Sequence, residues 1–95
     1  MTTRREILEA AAKCVCGDRD EQYGTPEHSF SLIAKLWEAY LRHPITAVDV
    51  AAMMILFKVA RAKGGANLNK NTFDSWVDIA GYAACGGEIT AAPGT

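Results

Sequence analysis

The sequence predicts an all-α fold, a small bundle of about four helices. Apolar residues recur every three or four positions in three segments, as they do along one face of a helix. A fourth segment, residues 46–62, is almost continuously apolar, and a helix of that kind is either buried or used as an interface. Because a chain of 95 residues builds only a limited core, we expect homo-oligomerisation to complete the bundle.

The helices are predicted over residues 3–15, 25–41, 46–62 and 71–85. Three of them begin at a threonine, a residue type that caps helix N-termini: Thr3, Thr25 and Thr46. The apolar stripes of the three amphipathic helices place Leu8, Tyr40 and Trp76 in the predicted core.

Glycine pairs mark two of the predicted helix ends, since glycine commonly follows the last helical residue. Gly64–Gly65 follows the central helix and opens a predicted loop over residues 63–71. Gly86–Gly87 follows the last helix. Residues 1–88 are therefore predicted to form a single helical domain, and residues 89–95 a frayed C-terminal tail.

Composition narrows the class of partner. The formal net charge of −1 argues against a protein that binds nucleic acid through phosphate neutralisation. The central apolar segment is too short to cross a membrane, so no membrane partner is expected. Three cysteines without an apolar leader predict reduced thiols and a cytoplasmic location.

Two cations and two carboxylates form the candidate site of greatest chemical interest. Lys58 and Arg61 project to nearly the same side of the central helix, and Asp74 and Asp78 lie one turn apart on the last helix. One interpretation is a salt-bridge network between two packed helices. The other is a polar pocket, in which the cations hold phosphate and the aspartates hold ribose hydroxyls, base N–H groups or magnesium.

Aromatic residues near this cluster extend the pocket hypothesis. Arg19 and Tyr23 lie in a polar segment between the first two helices, and such connecting segments carry many ligand contacts. Tyr82 lies one turn beyond Asp78, on the edge of the same helix face. Tyr23, Trp37 and Tyr82 could stack on a base, whereas the alternative for each is a packing role.

Four stretches of sequence resemble a group of short phage and prophage proteins: RDEQYG at residues 19–24, LW at 36–37, DVAAMMILFKVAR at 49–61 and DSWVDIAGYA at 74–83. The same pattern is more distantly similar to the all-helical MazG-like nucleotide pyrophosphohydrolases. That resemblance implies a magnesium site with Glu6 and Glu9 on one helix and Asp74 and Asp78 on another. Asp74 and Asp78 are four residues apart, where the MazG-like pattern has three.

The leading hypothesis is a phage-type homo-oligomer in the cytoplasm of a bacterial host. It binds a nucleotide or cyclic nucleotide and needs no cofactor. Its role is that of an anti-defence protein that sequesters an immune signal. Its expected ligand-binding residues are Arg19, Tyr23, Lys58, Arg61, Asp74, Asp78 and Tyr82. One alternative is a magnesium-dependent nucleoside triphosphate pyrophosphohydrolase. A further alternative is a protein-interaction adaptor without a small ligand.

Overall fold

The computed structural model describes residues 2–16 and 24–91. The described residues form four α-helices and no strand, which confirms the all-helical prediction. The helices are α1 (Arg4–Val15), α2 (Pro26–Leu41), α3 (Ala47–Asn67) and α4 (Phe73–Ala91). Helix α4 packs against both α1 and α3, and α2 packs mainly against α3.

The three predicted threonine caps are all present. The Oγ1 atom of Thr3 accepts a hydrogen bond from the Glu6 amide, and that of Thr25 accepts one from the His28 amide. At the start of α3, Thr46 and Asp49 form a complete capping box, because each side chain accepts from the other's backbone N–H at 3.1 and 2.9 Å. These bonds satisfy backbone donors that a helix N-terminus otherwise leaves without partners.

Two predicted helix ends are wrong, because both glycine pairs lie inside helices. Helix α3 continues through Gly64 and Gly65 to Asn67, and the left-handed residue that follows it is Asn69 (φ 57°). Helix α4 continues through Gly86 and Gly87 to Ala91. A glycine in a helix costs only about 1 kcal/mol relative to alanine, which tertiary packing readily offsets.

The extension of α4 also brings residues of the predicted tail into a helix. Ile89, which was assigned to a frayed tail, is 3% exposed and packs in the core. The side chain of Thr90 donates to the carbonyl of Gly86 at 2.8 Å, within the same helix. The helical domain therefore extends beyond residue 88, and only residues 92–95 of the predicted tail lie outside the described residues.

The core is built from small side chains. Its buried apolar residues are Ala11, Ala34, Val50, Ala51, Ala62, Val77, Cys85 and Ile89. Larger residues that were predicted to be buried are accessible in the single chain, with exposed fractions of 63% for Leu8, 88% for Tyr40 and 49% for Trp76. Such a core leaves much apolar surface in water.

Helix α3 is central in sequence but only half buried. Val50, Ala51 and Ala62 face the other helices, whereas Leu56 is 67% exposed on the opposite side. The apolar residues of α3 therefore form two surfaces, one that packs in the core and one that is exposed on the outside of the protein. None of the described helices combines the length and the apolar character that crossing a membrane requires.

Candidate ligand site

A cavity of about 290 Å³ lies between α1, α2 and α4. Helix α1 and the start of α2 form one side, and one face of α4 forms the other. The lining residues are Cys14, Val15, Gly24, Pro26, Ser29, Phe30, Val77, Asp78, Gly81, Tyr82 and Cys85. The cavity walls thus combine apolar side chains with several polar groups, as the walls of small-molecule sites do.

Two glycines shape the walls of this cavity. A Cβ atom at Gly81 would lie 3.1 Å from Cγ1 of Val15, so the glycine lets α1 approach α4 closely. Gly24 has φ +80°, a left-handed conformation that glycine adopts without strain, and it directs the chain into the Thr25 cap. Both residues line the cavity, which therefore depends on backbone positions that favour glycine.

One charged side chain lines the cavity, and a cation on α3 neutralises it. The Asp78 Oδ2 atom accepts from Lys58 Nζ at 2.9 Å, with side-chain exposures of 38% and 18% for the two residues. Lys58 does not line the cavity, so Asp78 lies between the cavity and the cation. An ionised carboxylate accepts several hydrogen bonds, so Asp78 can bind ligand donors while it remains paired with Lys58.

An aromatic pair from α2 and α4 also lines the cavity. The rings of Phe30 and Tyr82 have centroids 6.1 Å apart and are tilted by 41°. Beside them, the Ser29 hydroxyl donates to the Thr25 carbonyl at 3.1 Å, which leaves its oxygen lone pairs available as acceptors. The site therefore offers a ring face, a carboxylate and two hydroxyl groups to a ligand.

The structure brings together only part of the predicted ligand set. Asp78 and Tyr82 line the cavity, and Lys58 reaches it through the ion pair with Asp78. Arg61 is exposed, with its guanidinium carbon 5.8 Å from the centre of the Phe57 ring. Asp74 is exposed as well, and among the described residues neither Arg61 nor Asp74 forms an ion pair.

Two further predicted ligand residues, Arg19 and Tyr23, lie outside the described residues. The acidic set that the MazG-like resemblance implied is not assembled: the described part of the chain contains no group of three acidic, histidine or cysteine residues that could hold a metal ion. Glu6, Glu9, Asp74 and Asp78 therefore do not form one site.

Several lining residues were not identified from sequence as site residues. Ser29, Phe30, Cys14 and Cys85 belong to helices whose patterns indicate only packing, and cysteine spacing indicates no site. Gly81 gave the most informative signal, because a glycine in a helix interior marks a close approach. The partner in that approach, Val15, is distant in sequence and could not be identified from it.

Comparison with known proteins identifies related chains. Residues 6–90 match the family model described as a domain of unknown function, DUF6378. Over 79 residues the chain is 44% identical to the Gene 55 protein of Mycobacterium phage D29, covering 83% of this chain and 50% of that protein. It is also 44% identical over 78 residues to the Gene 55 protein of Mycobacterium phage L5, covering 81% and 47%.

The chain thus spans about half the length of these two phage proteins. The comparisons support the resemblance to phage proteins that the sequence motifs indicated. They do not show the more distant MazG-like resemblance. No solved structure matches the chain.

Proposed function

The chain belongs to the DUF6378 family, and on that premise we propose that it is a phage-type protein that binds a nucleotide or cyclic nucleotide. The ligand occupies the cavity between α1, α2 and α4. The protein binds this ligand and does not hydrolyse it. Capture of such a ligand would let a phage protein sequester a nucleotide immune signal of the host.

The position of Asp78 is the observation that carries this proposal. Asp78 lines the cavity, and its carboxylate is paired with Lys58 on α3. A nucleotide needs both kinds of group close together, an acceptor for its base or ribose and a cation for its phosphate. The Asp78–Lys58 pair provides them at 2.9 Å from each other.

The orientation of the ligand follows from the lining. The base packs against the aromatic pair of Phe30 and Tyr82, while its N–H groups or the ribose hydroxyls donate to Asp78. The phosphate lies towards α3, where Lys58 and Arg61 provide positive charge. A phosphate inside the cavity itself would face the Asp78 carboxylate, so the nucleoside end enters first.

The volume of the cavity limits the size of the ligand that it can hold. A volume of about 290 Å³ lies just below the range of roughly 300–1,000 Å³ for ligand sites. One base with its ribose fits this space better than a complete dinucleotide does. A cyclic dinucleotide would bind through one of its nucleosides, with the second outside the cavity.

A thermal-shift panel of nucleosides, linear nucleotides and cyclic dinucleotides, with and without magnesium, tests the proposal. A ligand at 100 times its dissociation constant stabilises the fold by about 2.7 kcal/mol, which is readily measured in a chain of this size. We expect stabilisation by at least one nucleotide, weaker stabilisation by its nucleoside, and recovery of intact ligand.

Two variants make this test specific. Asp78→Ala removes the acceptor from the cavity and should abolish the ligand-induced shift. Asp74→Ala, one turn earlier on α4 and without an ion pair among the described residues, is the matched control and should retain it. Magnesium-dependent loss of the ligand would instead favour the pyrophosphohydrolase, and absence of any shift would contradict ligand binding.

We propose further that the protein acts as a homo-oligomer, because large apolar side chains remain accessible on every described helix. Leu8 on α1, Leu36 on α2, Leu56 on α3 and Trp76 on α4 are between 49% and 67% exposed. The same observation favours the adaptor as a second candidate function, since exposed apolar patches are typical of protein interaction sites. An adaptor would show no nucleotide-induced shift and would bind a second protein through one of these surfaces.

A further inference from the structure

The outer face of α3 has an apolar stripe with a charge at each end. The stripe consists of Ala52, Met53, Leu56, Val59 and Ala60. All five residues are exposed. Among the larger ones the exposed fraction is 67% for Leu56, 41% for Val59 and 38% for Met53. Asp49 lies at the N-terminal end of this face and Lys63 at its C-terminal end, and both are exposed.

The spacing within this outer stripe is that of a helix–helix seam. Asp49, Ala52, Leu56, Val59 and Lys63 follow one another at alternating steps of three and four residues. This heptad spacing keeps a row of side chains facing a second helix along its length. In the single chain the row faces away from the core, which takes Val50, Ala51 and Ala62 from the opposite face.

We propose that the outer stripe of α3 binds the same stripe of a second copy, with the two helices antiparallel and related by a two-fold axis at Leu56. Leu56 lies midway between Asp49 and Lys63. Turning one helix end to end about Leu56 therefore places Ala52 opposite Ala60 and Met53 opposite Val59. The small residues Ala52 and Ala60 then face each other, and the larger Leu56 and Met53 meet Leu56 and Val59 of the second copy.

The charges select this arrangement. In the antiparallel pair, each Asp49 faces the partner's Lys63, so both ends of the seam carry opposite charges. A parallel pair would place Asp49 against Asp49 and Lys63 against Lys63, and like charges at close range are unfavourable. Exposed ion pairs add little affinity, about 0–1 kcal/mol each, but they fix orientation and register. A stripe that is complementary to itself in this way is expected of an isologous two-fold interface.

The exposed apolar side chains of the stripe also favour a second copy, because a contiguous exposed apolar patch is typical of a protein interaction site. The interface rests on the proposed self-association, but it does not depend on ligand binding, because no stripe residue lines the cavity.

Sedimentation equilibrium on four variants tests this interface. Leu56→Glu places two carboxylates together at the axis and should weaken association by about tenfold or more, equivalent to about 1.4 kcal/mol. Leu8→Glu changes a leucine of similar exposure, 63%, on α1 and outside the stripe, so it should leave association through the stripe unchanged. Lys63→Glu should weaken association, and Lys63→Arg should not. Circular dichroism of each variant confirms that the helices are retained.

The outcomes distinguish this interface from self-association in general. A monomeric wild-type chain would overturn both the interface and self-association. An oligomer that Leu56→Glu leaves intact would overturn the interface alone. Neither result bears on ligand binding, which the nucleotide panel measures independently.

Discussion

At the scale of single residues, the ion pair of Lys58 with Asp78 links the candidate site to helix packing. The pair joins α3 to α4 at 2.9 Å and is partly shielded from water. Replacing Asp78 by asparagine keeps the shape of the side chain but leaves the Lys58 ammonium without its counter-charge. We expect Asp78→Asn to lower the free energy of unfolding by about 1 kcal/mol, the upper range for accessible pairs.

Urea denaturation followed by circular dichroism measures this loss. Asp74→Asn is the matched control, because Asp74 is exposed and forms no ion pair among the described residues. Its substitution should change the free energy of unfolding by less than about 0.5 kcal/mol. Equal losses in the two variants would show that the ion pair contributes no more than the general charge of α4.

The capping box at Asp49 gives the protein a specific pH dependence. Hydrogen bonds from the Thr46 backbone and then the Thr46 side chain lower the pKa of Asp49. A lowered pKa in the folded state means that the ionised carboxylate stabilises the fold at every pH above the ordinary aspartate pKa, about 3.9. The contribution is lost as the pH falls below that value and through the lowered pKa.

The variant Asp49→Asn isolates this contribution. Wild type should be more stable than the variant at neutral pH, and the difference should shrink as the pH falls below the ordinary aspartate range. Thermal unfolding from neutral to strongly acidic pH measures the difference. A gap that stays constant with pH would show that the charge of Asp49 has no role in the cap.

At the scale of helices, the glycine pairs show how packing overrides local sequence signals. A Cβ atom at Gly86 would lie 3.1 Å from the Ala51 Cβ atom on α3, whereas one at Gly87 would meet nothing within 4 Å. The Ala51 Cβ atom cannot rotate away, so a methyl group at 86 must push α3 and α4 apart. Gly86 is therefore part of the α3–α4 contact, and the helix continues through it.

Alanine substitutions at the two neighbouring positions should have opposite effects. Gly87→Ala should raise the free energy of unfolding by about 0.5–1 kcal/mol, because alanine favours the helix and nothing opposes it. Gly86→Ala gains the same helix preference but should be destabilised by the contact with Ala51. Melting temperatures would differ by several degrees in a chain of this length.

The same residues explain how much of the fold the sequence predicts. Helix starts were predicted well, because caps such as Thr46 with Asp49 are local and chemically specific. Helix ends were not predicted well. Ala62, before Gly64–Gly65, and Ile89, after Gly86–Gly87, are buried by residues that are distant in sequence. A glycine pair gives no local indication of whether another helix packs against it.

At the scale of the whole molecule, the candidate site was partly predictable. Helical spacing and opposite charge left a salt-bridge network and a polar pocket as alternatives for Lys58, Arg61, Asp74 and Asp78, and the ion pair of Lys58 with Asp78 belongs to the first. The cavity was not predictable, because it depends on how close α1 comes to α4 at Gly81 and Val15. Ser29 and Phe30 carry no chemical signature of a site, and only the arrangement of α2 beside α4 brings them next to Tyr82.

The small core accounts for the two functional surfaces together. Most core positions hold alanine, valine or another small residue, so the helices leave both a cavity and exposed leucines. Helix α3 contributes to both surfaces, with Lys58 towards Asp78 and Leu56 on its outer stripe. Such a protein can use one side of α3 near a ligand and the other side for self-association.

The most direct measurement is an NMR titration of isotope-labelled protein with the nucleotide that gives the largest thermal shift. The proposed function predicts saturable changes in the amide signals of Ser29, Gly81 and Tyr82, with those of the outer stripe of α3 unchanged. Changes confined to the outer stripe, or none at the cavity, would contradict the assignment of the cavity between α1, α2 and α4 as the ligand site.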